Sequence, residues 1–443
     1  DGHAAAPPAG TTAARADRRY VTAAMMLVMV LASMEMTVTS TAMPTIIGEL
    51  HGLEHYAWVA SIYLLACTVS MPLYGRLADA VGRKRVVLAA IGLFCAASVL
   101  AAMSRTMTQL ILFRGLQGLG AGGIMPVVLT ILGDIFTLEE RARIQGFFSA
   151  VWGGAALAGP ALGALLVNTL GWRSVFYVNL PLGAVGFAVL AWKYHEHEKP
   201  HSTDLDLPGI GLLAAACTAV LVLVSGLDLG GMPDPWPWVV RAALAAVAVG
   251  ATVWFVRVER RAVNPVLPPS LVLHRVIGPS LVGSFLLGIC FLGLDTYVPL
   301  YVQGAKGGGA AAAAAVVTPV MLAWASSGIF AAPLVLRWGF RRTAVLGSGL
   351  TVLSFAGLVA CAVTDAPQWV LVGVLLLAGL GFGPASMSYL LASQGAVGWQ
   401  QRGIVTSGNQ FFRTIGGAVG IGLLGMLFNV LAAARLEPLR AAG

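Results

Sequence analysis

The sequence predicts an all-α polytopic membrane protein, and three observations carry that expectation. Of 443 residues, 58% are hydrophobic and 10% charged, with a mean hydropathy of +0.83; soluble domains carry about 25% charged residues. Apolar runs of about 20 residues recur from end to end, the length a helix needs to cross ~30 Å of hydrocarbon. Lipid offers no partner to an open backbone, so such runs must satisfy their own hydrogen bonds as helices. Basic residues, finally, gather in alternate loops. A net charge of +8 would point a soluble protein toward nucleic acid. Here its distribution follows the positive-inside pattern, so no nucleic-acid partner is expected and the N-terminus is expected in the cytoplasm.

The elements follow in order. Residues 1–19, Ala- and Pro-rich up to Arg18 and Arg19, are expected to form a disordered tail. Six spans at about 20–48, 56–80, 84–103, 108–136, 143–169 and 173–194 form an N-terminal half over residues 20–198. A linker, residues 199–262, carries two further spans at about 207–228 and 236–257. Five more, at about 276–303, 310–336, 342–363, 368–395 and 403–433, fill residues 263–443 and bring the total to about thirteen. The loops expected inside hold Arg15, Arg76, Arg83, Arg85, Arg141, Arg143, Arg257, Arg337, Arg341 and Arg342, among others; the intervening loops hold few basic residues.

An internal repeat relates the first and last groups. A shift of about 257 positions lays Gly82 on Gly339, Gly146 on Gly403, Gly159 on Gly416 and Gly163 on Gly420. At a slightly different offset Gly118-Leu-Gly120-Ala-Gly122 matches Gly379-Leu-Gly381-Phe-Gly383. Two pseudo-symmetric six-helix halves are therefore expected, with the 207–257 pair inserted between them and the last helix absent from the sequence as written. The alanine run at 310–315 reads as low complexity.

Cys67, Cys95, Cys217, Cys290 and Cys361 each fall inside an apolar span without metal-ligand spacing, so they read as packing residues. No phosphate-binding loop or nucleophile constellation is evident. The chain is not expected to be an enzyme, to use ATP, or to hold a metal or cofactor.

The motifs narrow the class. The segment Gly75-Arg76-Leu77-Ala78-Asp79-Ala80-Val81-Gly82-Arg83-Lys84-Arg85-Val86 resembles the signature loop between the second and third helices of the major facilitator superfamily. Residues 110–122, from Leu110 through Arg114 and Gln117 to Gly122, are similar to that family's fourth-helix motif. Gly159-Pro160-Ala161-Leu162-Gly163 resembles its fifth-helix exporter motif. Trp172-Arg173, with Phe176, Asn179, Pro181 and Gly183, and Glu35-Met36-Thr37, with the later Pro44, resemble the sixth- and first-helix motifs of the drug:proton antiporter branch with fourteen helices. The resemblance covers about residues 20–434. It departs where the first-helix acid is Glu35 rather than Asp, and where the second Gly of the fifth-helix motif is Ala164. It implies the major facilitator fold, alternating access and a multi-pass place in a bacterial cytoplasmic membrane.

Charges deep in the spans carry the chemistry. A charge at the bilayer centre costs at least ~2.5–3.5 kcal/mol, and such residues usually face a pathway. Glu35 and Asp295 lie in the first span of their halves, where the resemblance turns both toward a central cavity to bind protons or substrate. Arg114 resembles the fourth-helix arginine linked to proton transfer. Arg413 sits at helical spacing from Asn409 and Gln410, so the three share a face, and it is expected to lie near one acid. Asp79 and Arg83, with Gly75 and Gly82, are read as the cytoplasmic gate. Gly159, Pro160 and Gly163 are read as a close-packing and bending element. Met34, Trp152, Phe291, Tyr297 and Trp324 are candidate pocket lining. His195-Glu196-His197-Glu198 reads as solvated polarity, not a metal site.

The sequence thus predicts a proton-coupled exporter of hydrophobic or amphipathic, cationic compounds, acting as a monomer with protons, membrane lipids and a small molecule as its partners. A lipid or glycolipid exporter on the same scaffold, a nutrient symporter, which Gly159-Pro160 disfavours, and a non-transporting membrane sensor or scaffold are the alternatives.

Overall fold

The computed structural model describes residues 12–51, 56–196, 206–224, 236–262 and 264–441, and among these the regular structure is helical, with no strand. The first helix, α1 (Thr12–Leu50), starts within the segment expected as a disordered tail. Asp17 pairs with Lys193 at 3.0 Å, and the Arg18 guanidinium lies 5.9 Å from the Phe136 ring centre, so tertiary contacts fix this turn. Residues 1–11 lie outside the described residues, as do His197, Glu198 and the 199–205 part of the linker.

Local chemistry sets each boundary. Helices α2 (Tyr56–Val81) and α3 (Arg83–Ala102) are separated by Gly82 alone, at φ 109°, a conformation that costs glycine least. Thr106 caps α4 (Met107–Ile135) by accepting from the Gln109 amide. Thr137 and Glu140 form a capping box on α5 (Leu138–Leu170). The short α6 (Ser174–Tyr177) leads into α7 (Asn179–Lys193). Then come α8 (Leu207–Val224), α9 (Trp236–Glu259), the short α10 (Pro269–Val272), α11 (Ile277–Gly304), α12 (Ala310–Val363) and α13 (Gln368–Gly395). A 3-10 turn, Trp399–Gln401, opens α14 (Arg402–Ala441).

Among the described residues 11 helices are long and apolar enough to cross a membrane, fewer than the thirteen expected. Two causes account for the difference. The spans expected at 310–336 and 342–363 run together as α12, interrupted only at Gly339 with φ 78°. The span expected at 207–228 is the shorter apolar helix Pro208–Val224.

The chain forms two compact units, one of Asp1–Asp204 with Thr318–Gly408 and one of Leu205–Val317 with Asn409–Gly443. In the first, Met25, Leu31, Phe94, Ile124 and Phe148 are buried in one apolar core drawn from α1, α3, α4 and α5. In the second, the Glu259 carboxylate accepts the Val266 and Leu267 amides, each at 3.1 Å, and so closes the loop after α9. There Gly288 of α11 packs on the Arg413 carbonyl, while Gly416 and Gly420 of α14 pack on Phe285 and Ile289.

The glycine repeat has a packing basis inside the first unit. On α4, Gly118 and Gly122 meet α2 at the Tyr63 and Cys67 carbonyls, while Gly120 meets α3 at Ala90 and Phe94. On α13, Gly379 and Gly383 meet the first part of α12 at Val320 and Ser327, while Gly381 meets its second part at Gly347 and Thr351. Each three-glycine run therefore seats one helix between two others at backbone distance. A Cβ at Gly120 would lie 2.6 Å from the Phe94 amide nitrogen and 2.9 Å from the Ala90 carbonyl oxygen, and backbone cannot yield as a side chain can. Gly120→Leu is expected to destabilise the unit by at least the ~1–3 kcal/mol of ordinary overpacking, seen as loss of monodisperse protein in size-exclusion chromatography. A normal elution profile and melting temperature would contradict this packing.

Candidate functional site

Two polar clusters occupy the first unit. The deeper one centres on Glu35, 2% exposed on α1. Arg114 of α4 donates from Nη1 to Glu35 Oε1 at 2.5 Å, Asn179 of α7 donates to Oε2 at 2.5 Å, and Thr39 donates to Oε1 at 3.0 Å. Arg114 also donates to Gln117 Oε1 at 2.7 Å and to the Val59 carbonyl at 3.3 Å, and its guanidinium lies 4.2 Å from the Tyr63 ring centre. Gln117 and Asn179 both donate to Ser98 Oγ, at 2.8 and 3.3 Å, which ties α3 into the network.

Five helices thus meet at one ion pair. The expectation that Glu35 faces a central cavity meets a carboxylate turned into α3, α4 and α7. The reason is charge: a buried acid needs a counter-charge and hydrogen bonds to offset its desolvation, and Arg114, Asn179 and Thr39 supply them. A cleft with room for about one water reaches Glu35 and Asn179 between Leu31, Met34, Leu162 and Leu182. Of the candidate lining residues, Met34 therefore borders the acid. Beside this cleft, Gly159 and Gly163 of α5 press on Thr37, Val38 and Thr41, so the fifth-helix glycines seat the helix that carries Glu35.

The second cluster is built on the α2–α3 turn. Asp79 Oδ1 accepts from Arg83 at 2.7 Å and from the Gly403 amide at 3.0 Å; Oδ2 accepts from the Ile404 amide at 2.9 Å. The acid therefore sits on the N-terminus of α14, where open amides and the helix dipole favour negative charge. Arg83, fully buried, donates to the Trp399 carbonyl at 2.7 Å and stacks 3.5 Å over the Trp399 ring. Its Nε lies 3.1 Å from Asp134 Oδ2, and Arg402 binds the other Asp134 oxygen at 3.1 Å and the Gly133 carbonyl at 2.9 Å. Close backbone approach completes the joint: a Cβ at Gly75 would strike the Ser407 side chain and lie 2.7 Å from the Gly403 carbonyl.

The remaining candidates separate. Asp295 is exposed, and among the described residues neither its side chain nor that of Arg413, expected to lie near one acid, makes a hydrogen bond or ion pair. Asn409 and Gln410 are buried beside Arg413 on α14, and Asn409 Nδ2 has no partner among the described residues. Tyr297 spends its hydroxyl on the Ile421 carbonyl at 2.6 Å, which makes it a helix tie rather than pocket lining. Trp324 is buried and Phe291 half-buried, and the Trp152 side chain lies outside the described residues. Glu196, read as solvated, instead accepts the Arg83 amide at 2.7 Å. At the far end of α1, Glu49 accepts from Trp172 at 2.6 Å and Arg173 at 2.5 Å, which gives that motif pair a structural task.

Sequence reasoning assigned no role to Asn179, Ser98, Gln117, Tyr63, Asp134, Trp399 or Arg402. Gln117 and Asn179 stand in the fourth- and sixth-helix motifs without a role of their own, and Ser98, like them an uncharged polar residue deep in an apolar span, could have been flagged by that signal. Trp399 offers its carbonyl as well as its ring, and a carbonyl carries no side-chain signature.

The arrangement has relatives. Residues 25–421 match the family model described as Major Facilitator Superfamily. The chain is 33% identical over 413 residues, 93% of its length and 75% of the relative's, to the Multidrug transporter protein MdtP of Bacillus subtilis. It is 29% identical over 417 residues, 94% of its length and 80% of the relative's, to Multidrug resistance protein 3 of the same organism. Among solved structures, the human organic anion transporter MFSD10 superposes with a TM-score of 0.66 at 16% identity, covering 94% of this chain and 93% of that one. Helical architecture, the two motif-bearing clusters and these matches agree, and this multi-pass membrane protein belongs to the Major Facilitator Superfamily of transporters.

Proposed function

We propose that this transporter is a proton-coupled exporter, moving hydrophobic or amphipathic cationic compounds out of the cytoplasm of a bacterial cell by alternating access, as a monomer with its N-terminus inside. The observation that carries the reading is the enclosed Glu35–Arg114 pair with a water-sized cleft at the carboxylate. Ionisable residues this deep in a membrane are costly and rare, and they mark ion pathways and proton relays. On protonation Glu35 loses its attraction for Arg114, and the bonds to Asn179, Gln117 and Ser98 pass that change to α3, α4 and α7. Inward proton flow supplies ~2.3 kcal/mol per charge per 100 mV. Relatives named for multidrug transport and multidrug resistance support a drug-like substrate.

The Asp79 cluster serves in this reading as the cytoplasmic latch. Substrate contact falls to Asp295, Arg413, Asn409 and Gln410, whose polar groups are uncommitted in the fold, the orphan donor on Asn409 above all. Asp295→Asn is expected to leave the melting temperature unchanged, since no partner is lost, and to lower transport of cationic dyes at least tenfold more than that of neutral ones. Equal effects on both dye classes would remove Asp295 from the substrate path. The decisive test of the class is exchange in proteoliposomes at a set pH gradient with parallel panels of dyes and lipids. Lipid movement without dye movement would favour a lipid exporter on the same fold, and movement of neither would favour a sensor or scaffold.

A further inference from the structure

Gly82 must adopt φ 109° for the α2–α3 turn to close, and glycine has no side chain with which to cap the helix that follows. The first amides of α3 are therefore open unless something else supplies an acceptor. Glu196 does so from 113 residues away: its Oε1 takes the Arg83 amide at 2.7 Å, and its Oε2 lies 2.6 Å from where a Gly82 Cβ would stand. Among the described residues no ion pair competes for this carboxylate. The segment that carries it is anchored, because Tyr194 is buried in the apolar core. At the repeat-related turn Gly339, with φ 78°, has nothing within 4 Å in the place where Gly82 meets Glu196. The contact thus belongs to the turn that carries Asp79 and not to its counterpart.

We propose that Glu196 is a positioning residue of the latch. Its carboxylate caps α3 from outside and fixes the Gly82–Arg83 turn, so that Arg83 meets Asp79, Asp134 and Trp399 together. The inference rests on the latch reading of Asp79.

The test is a spin-label distance between R85C and Q400C, both at exposed positions flanking the joint, in a protein whose five native cysteines have been replaced. An anion held at a partly buried helix N-terminus shifts an equilibrium by up to about 30-fold. E196A is expected to lower the closed-to-open ratio about tenfold. E196Q, whose amide oxygen still accepts the Arg83 amide without the charge, is expected to fall between E196A and the parent protein. If E196A fails to yield folded protein, the E196Q shift against the parent carries the test. A distance distribution unchanged in E196A, or identical in E196Q and E196A, overturns the proposal. D79N is the reference: if D79N opens the joint and E196A does not, only the role of Glu196 fails, and if neither opens it, the latch reading fails with it.

Discussion

Glu35→Gln is expected to abolish proton-driven transport while leaving folded, membrane-inserted protein. Glutamine keeps an oxygen for Arg114 and Thr39, but it leaves Arg114 without its counter-charge and turns an amide toward the Asn179 donor, so the network loses its titratable member at a cost in stability smaller than that of truncating a partner. The consequence for Arg114→Ala is different. That change leaves Glu35 buried without its counter-charge and strips Gln117 and the Val59 carbonyl of a donor. Breaking one side of a buried ion pair costs about 3–5 kcal/mol, so Arg114→Ala is expected to lower the melting temperature steeply as well as stop transport. The pair of measurements separates chemistry from packing: transport assays report both variants as inactive, and thermal melts in detergent distinguish them. Full antiport by Glu35→Gln would remove the acid from the coupling path.

The second large effect is expected at Asp79. Its two oxygens accept three hydrogen bonds, two of them from the amides that open α14, and these contacts form only while that helix start lies against α2. Asp79→Ala deletes the acceptor and leaves Arg83 with Asp134 as its remaining acid. Hydrogen bonds to charged groups are worth about 1.5–3 kcal/mol each. Loss of the set should therefore shift the closed-to-open balance by more than a hundredfold. The expected readout is rapid labelling by a membrane-impermeant thiol reagent of a cysteine at Ser407, a buried position packed against Gly75 while the latch is shut. Labelling as slow as in the Asp79 parent would show that these bonds do not hold the joint.

Much of this was legible before any coordinates. The spans follow from apolar run length alone, and Gly82 and Gly339 from the breaks between them, because crossing a membrane leaves the backbone only one economical form. Glu35 and Arg114 stood out as charges in apolar surroundings. Their direct pairing did not, since 79 residues separate them and nothing in either neighbourhood names the other. The latch divides in the same way. Asp79 and Arg83 announce themselves on one turn, but the receiving surface consists of the Gly403 and Ile404 amides and the Trp399 carbonyl, groups every residue possesses. Glu196 was misread for a related reason: a charged residue at a helix end is usually solvated, and only the fold brings it to the uncapped start of α3. The repeat was visible as glycine spacing, while its meaning, a helix seated between two neighbours by alternate glycines, required the packing.

The central claim is that one buried acid couples proton and substrate movement. The most direct measurement is the internal pH of proteoliposomes, followed with a trapped indicator as substrate is imposed on one side in the absence of any starting pH gradient. The account predicts a substrate-dependent proton flux opposite in direction to the substrate, absent in Glu35→Gln. Substrate movement by the parent protein with no accompanying proton flux, or an undiminished flux in Glu35→Gln, would contradict it.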